Sequence, residues 1–131
     1  MSISKSEVLM NRDKTHAQDY TPEVSANIDK LLICLNKFRE AYGKPMKVSS
    51  GWRPESINAA IGGAKKSNHT VGLACDFSDK DGELAKFALE MDKQGKLKEW
   101  GLWLENPVKT KGWIHLDIKD RGNRASNVFN P

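Results

Sequence analysis

Apolar side chains return at helical spacing through Val24, Ile28, Leu31, Leu35 and Phe38, with mostly polar residues between them, which predicts one long amphipathic helix. Thr21 suits its N-cap and Pro22 its first turn, while Gly43 and Pro45 end it after about Tyr42. Upstream, Ser4-Lys5-Ser6-Glu7 fits a capping box and opens a short helix over K-S-E-V-L-M, followed by a polar connection through Tyr20. Downstream the pattern shortens. M-K-V-S-S reads as a strand, G-W-R-P as a turn, E-S-I-N-A-A as a short helix and G-G-A-K-K-S-N-H-T-V-G as a loop. L-A-C-D-F-S-D is a strand, and D-G-E-L-A-K-F-A-L-E-M-D-K-Q-G a second amphipathic helix carrying Leu84, Phe87, Ala88 and Met91. W-G-L-W-L-E and G-W-I-H-L-D-I, joined by N-P-V-K-T-K, read as a β-hairpin. This order predicts a single α+β domain over residues 1–131, with helices packed on a small, mostly antiparallel sheet. Residues 1–20 form its N-terminal helix and connection, and residues 21–131 its core.

A chain of 131 residues can bury about two-thirds of its unfolded surface, enough for one core. The net charge of +4 favours an anionic partner. The basic residues are scattered, with no run of five, so a nucleic-acid partner is not expected. Cys34 and Cys75 lie among apolar residues outside any C-x-x-C pair, which predicts buried free thiols in a reducing compartment. The first twenty residues carry no apolar signal-like core, and no window approaches ~20 consecutive apolar residues. Synthesis in a cytoplasm without an export signal, and no stable membrane association, are expected. Nothing in the pattern asks for more than a monomer.

Strand alternation sorts the chemistry. In L-A-C-D-F, Leu73, Cys75 and Phe77 share one face, leaving Ala74 and Asp76 on the other. In G-W-I-H-L-D-I, Ile114, Leu116 and Ile118 face one way, and Trp113, His115 and Asp117 the other. If these strands are neighbours, Asp76 and His115 point into one cleft, and His69 can reach back from the turn before the first strand. Two imidazoles and one carboxylate suit zinc, leaving a fourth tetrahedral position open. His16 reads as a surface histidine. Trp100, Trp103 and Trp113 read as core or cleft-wall residues, and Trp52, beside Arg53, as a candidate for the groove wall.

S-N-H-T-V-G-L-A-C-D-F, read as S-x-H-x-x-G-x-A-x-D, resembles the first zinc-ligand motif of the D-Ala-D-Ala metallopeptidase family. That family includes phage L-alanyl-D-glutamate endopeptidases and, more distantly, the Hedgehog signalling domain. S-S-G-W-R-P-E-S-I-N-A-A-I-G-G-A-K-K-S-N-H is similar to its S-G-Y/W-R-x…N…G-G-A…S-x-H stretch, and G-W-I-H-L-D to its last ligand strand; the similarity spans nearly the whole chain. The resemblance implies a Hedgehog- and D-Ala-D-Ala peptidase-like fold with one zinc ion in a cleft on the sheet, bound by His69, Asp76 and His115. It also implies that Arg53 contacts a substrate carboxylate or a developing oxyanion, and that Ser67 orients substrate near the metal. The general base departs from the best-known pattern: Glu-x-x-His would need a glutamate where Gly112 stands, and His-x-His a histidine where Trp113 stands. Two carboxylates remain open for the role, Glu105 at the end of the preceding strand and Asp117 beside His115, the latter also as an orienter of the site.

The expected function is that of a zinc peptidase cutting an amide bond in the peptide stems of peptidoglycan. The bond is either internal or a terminal D-Ala-D-Ala linkage. Such an enzyme fits a bacteriophage endolysin or wall hydrolase that reaches the wall after release from the host cytoplasm. The alternative is a zinc-stabilised binding or structural module without catalysis, such as a phage tail component.

Overall fold

The long helix is where the apolar repeat puts it. In the computed structural model, which describes residues 2–63 and 67–131, it runs from Pro22 to Tyr42 and buries Val24, Ile28, Leu31, Leu35 and Phe38 along one face. We call it α3. Thr21 accepts the Val24 N–H as its cap, and Gly43 closes it at φ 74°, a left-handed conformation that glycine adopts without steric cost. Ahead of it lie α1 (Lys5–Leu9), with the Ser4/Glu7 capping box formed, and α2 (Arg12–Thr15). The latter interrupts what the sequence reads as a plain connection. Ile3, Val8 and Leu9 join the same core as α3, so the N-terminal segment is packed into the domain rather than appended to it.

Among the described residues, five strands form the sheet: β1 (Val48–Ser50), β2 (Ala74–Ser78), β3 (Trp103–Glu105), β4 (Trp113–Asp117) and β5 (Val128–Phe129). Their order is β1-β2-β4-β3-β5, antiparallel except for the β3–β5 pair at the edge. Among the described residues the further α-helices are α4 (Glu55–Ala60), α5 (Glu83–Lys93) and α6 (Lys96–Trp100). Cys75 and Phe77 of β2, Ile114 and Leu116 of β4 and Leu104 of β3 face the helices and are fully buried. The opposite sheet face is left for the polar residues.

The β3–β4 hairpin forms as expected, pairing Trp103 with Asp117 and Leu104 with Leu116. Its first strand is shorter than the apolar run suggests. Trp100 instead ends α6, whose last turn Gly101 closes at φ 75° before the chain straightens. β5 was not expected from sequence: a two-residue strand at a sheet edge has too few positions to show a period of two. Of the two thiols, Cys75 is buried and Cys34 only partly so, because α3 turns position 34 toward the margin of its apolar face. The Ala64-Lys65-Lys66 part of the expected loop lies outside the described residues.

Candidate metal centre

The register between β2 and β4 creates the site. Asp76 is directly opposite His115, with their side chains on the face away from the core, and the Asp76 Oδ1 to His115 Nδ1 distance is 2.9 Å. Neighbouring antiparallel strands place such cross-strand pairs about 5 Å apart at Cβ, so the contact follows from register alone. His69 arrives from the loop before β2, and its Nε2 lies 3.2 Å from the same Asp76 oxygen. All three are buried, and one ligand atom from each falls within 4.8 Å of the others.

Several contacts bring the loop to that point. The Ser67 hydroxyl accepts the His69 N–H at 3.2 Å, the Thr70 hydroxyl donates to the Ser67 carbonyl at 2.7 Å, and Asn27 of α3 donates to the Val71 carbonyl at 2.9 Å. Gly72 lies against α3 at φ 82°, where a Cβ would come within 2.9 Å of the Val24 carbonyl oxygen. Only glycine permits both that backbone and that approach. The His69 ring is fixed by its Nδ1, which donates to the Gly51 carbonyl at 2.9 Å and so turns Nε2 toward Asp76.

His115 is fixed by a charge instead. Its Nε2 lies 2.8 Å from Oδ2 of Asp117, a carboxylate with no solvent exposure. Asp117 also receives both guanidinium nitrogens of Arg121, at 2.6 and 3.0 Å, and the Lys119 N–H at 3.2 Å. Burial alone would lower the His115 pKa, but its hydrogen bonds to Asp117 and Asp76 outweigh burial and raise it to about 9. Burial likewise pushes both aspartates upward, and the hydrogen bonds from His115, with His69 on Asp76 and Arg121 on Asp117, hold them below the usual carboxylate range.

The donor set fits a metal ion. Ligand bonds of roughly 2.0–2.1 Å in a tetrahedron put neighbouring donor atoms about 3.3 Å apart, close to the separations found on Asp76 Oδ1. With Nε2 of His69, Oδ1 of Asp76 and Nδ1 of His115 as donors, each imidazole keeps its other nitrogen for an orienting hydrogen bond. Two imidazoles with one carboxylate make a typical zinc set with an open position.

The cluster lines a cleft of about 370 Å³ together with Ser50, Arg53, Ile61, Ser67, Glu105 and Trp113. Glu105, at the end of β3 and on the same sheet face as Trp103, is half-buried, and burial raises its pKa. The Arg53 backbone N–H donates to the His69 carbonyl at 3.1 Å, and its Nη2 meets the Ser67 hydroxyl at 3.4 Å. Its buried Nε has no partner among the described residues. The structure therefore brings Arg53, Ser67, His69, Asp76, Glu105 and His115 to one cleft and sets Asp117 behind His115, out of solvent.

Trp52 lies elsewhere than its neighbour in sequence. It is not a groove-wall residue: it is fully buried, its ring packs on Tyr20 at 5.5 Å, and its indole N–H donates to the Thr70 carbonyl at 3.0 Å. The alternation Gly51-Trp52-Arg53 turns the tryptophan inward as it turns the arginine outward. Sequence reasoning missed the Gly51 carbonyl and Arg121, since a backbone oxygen has no residue signature and Arg121 lies beyond the last strand.

The family model described as Peptidase M15 matches residues 3–117. The chain belongs to the peptidase M15 family. No curated protein and no solved structure matches it. Membership points to a metallopeptidase, and the buried cluster is where this peptidase can hold its metal ion.

Proposed function

We propose that the protein is a zinc peptidase that hydrolyses an amide bond in peptidoglycan stem peptides, acting as a phage endolysin or wall hydrolase. His69, Asp76 and His115 hold the ion. The observation that carries this reading is the shared Asp76 oxygen between two separately oriented imidazoles, opening on a cleft that also contains the Glu105 carboxylate and the Arg53 guanidinium. Zinc, when bound, supplies Lewis-acid polarisation of the scissile carbonyl and of the attacking water. Glu105 takes the proton from that water and passes it to the leaving amine, a task helped by a carboxylate pKa moved toward neutrality. Arg53 meets the substrate carboxylate or the negative charge developing on the carbonyl oxygen, and Ser67 orients the peptide beside it. Asp117, with both oxygens occupied and no solvent contact, orients His115 and leaves proton transfer to Glu105. The net charge of +4 suits an anionic wall as the working surface.

Purified protein incubated with muropeptides and followed by mass spectrometry tests this reading and reports the bond cut. Product should disappear with chelator and return with zinc. Glu105→Gln should lower kcat by about 10²–10⁴-fold while zinc content stays stoichiometric. Zinc retention with no cleavage of any muropeptide would make the chain a zinc-stabilised module instead.

A further inference from the structure

We propose that Arg121, clamped by the C-terminal segment, is a positioning residue that sets the His115 ring for metal binding by way of Asp117. The proposal rests on the zinc reading of the cluster. Arg121 lies outside the stretch matched by the family model, which ends at residue 117. Its two terminal nitrogens grip both oxygens of Asp117, the side-on geometry that leaves a carboxylate little freedom to rotate. The other face of the guanidinium lies 3.7 Å from the Phe129 ring centroid and 5.4 Å from that of Trp103, so it is stacked as well as paired.

The stack is anchored through the rest of the segment. Asp92 of α5 accepts from Ser126 Oγ and from the Asn127 N–H, both at 2.7 Å, and Asn127 Nδ2 donates to the Leu102 carbonyl at 3.0 Å. β5 then pairs with β3, placing Phe129 against both Arg121 and the edge of His115, whose ring centroid is 5.8 Å away. A purely structural ion pair needs no third member. Here the carboxylate's remaining strong contact is the non-ligating nitrogen of a metal-facing histidine, and such orienting partners typically change metal affinity 10–100-fold when removed.

Zinc affinity, measured by chelator competition on metal-free protein well below its melting temperature, tests this. The ligand-field spectrum of the cobalt-loaded protein serves as a second readout. Arg121→Met should weaken zinc binding about 10–100-fold and alter the cobalt spectrum, with Arg121→Lys recovering part of the loss. Phe129→Leu, which removes the stacking ring and keeps the charge, should weaken it about fivefold. A folded Arg121→Met protein that binds zinc within about twofold of wild type overturns the proposal, since a merely structural bridge would lower the melting temperature alone. If Arg121→Met does not fold, Arg121→Lys and Phe129→Leu decide, and wild-type affinity in both overturns it. Wild-type protein that binds no zinc overturns the zinc reading and this inference together. Zinc binding that His115→Ala abolishes and Arg121→Met leaves intact overturns this inference alone.

Discussion

The two imidazoles of the cluster do the same job on opposite kinds of support. His69 sits on a loop, and its ring is oriented by a neutral acceptor, the Gly51 carbonyl. His115 sits in the middle of the sheet, and its ring lies between two carboxylates, Asp76 and Asp117, the second of them paired with Arg121. One support is a matter of shape and the other of charge. Without metal, the first leaves a hydrogen-bonded ring, whereas the second leaves two carboxylates, of which Arg121 balances only Asp117 and His115 must serve Asp76.

Removing each ring from metal-free protein should separate the two supports most widely. His115→Ala strips Asp76 and Asp117 of their shared partner and should cost about 3–5 kcal/mol, the range for breaking a buried ion pair. His69→Ala loses the hydrogen bond to Gly51 and a weaker contact to Asp76, and should cost about 1–2 kcal/mol. Urea unfolding in chelator near pH 6 measures both, and equal losses would mean that the charge around His115 contributes nothing to the metal-free fold. Neither variant should retain zinc.

The same contrast should appear as a pH dependence. The folded His115 pKa, about 9, lies above its ordinary value of 6.5. Its contribution is therefore fully present below pH 6.5 and lost as pH rises through 9, a fall of about 3 kcal/mol for a shift of this size. Asp76 and Asp117 are shifted the other way, so their contribution is present above the ordinary carboxylate range and lost in acid. Metal-free protein should be most stable between those limits, and urea midpoints taken from pH 5 to 10 check it. In His115→Ala the alkaline fall should vanish.

The charge-supported half of the site was the more legible half. Alternation along L-A-C-D-F and W-I-H-L-D assigns Asp76, His115 and Asp117 to one sheet face before any pairing is known, and Glu105 follows from its place in the hairpin. The long helix was equally plain, because five apolar residues at helical spacing mark its buried face. In the shape-supported half, His69 was legible from its place before the strand and from the family resemblance, but what holds it was not. His69 is placed by contacts to residues 18 and 44 positions distant from their loop partners, through Gly51 and Asn27, and no local pattern encodes them. β5, and with it the seat of Arg121, depends on edge pairing with β3 and on Asp92 in α5, so its two residues carry no signal of their own. Trp52 failed for a related reason: proximity to Arg53 in sequence says nothing of facing when the residues alternate sides.

The smallest expected effect probes the shape-supported half from furthest away. Gly51 offers its carbonyl to His69 because the N-terminal segment presses on its other side, where a Cβ would come within 2.0 Å of the Val8 carbonyl oxygen. Trp52 N–H donates to that Val8 oxygen at 2.9 Å, and Arg12 of α2 donates to the Trp52 carbonyl at 2.8 Å. The His69 acceptor is thus positioned by Val8 and Arg12, far upstream in the chain. Arg12→Ala removes one hydrogen bond from a charged donor and leaves the other, so it should lower stability by about 1 kcal/mol and zinc affinity by no more than about threefold. Its loss should be the same at pH 6 and at pH 9, since a carbonyl anchor does not titrate. A loss that grows with pH would place Arg12 in the electrostatics of His115 and dissolve the distinction between the two supports.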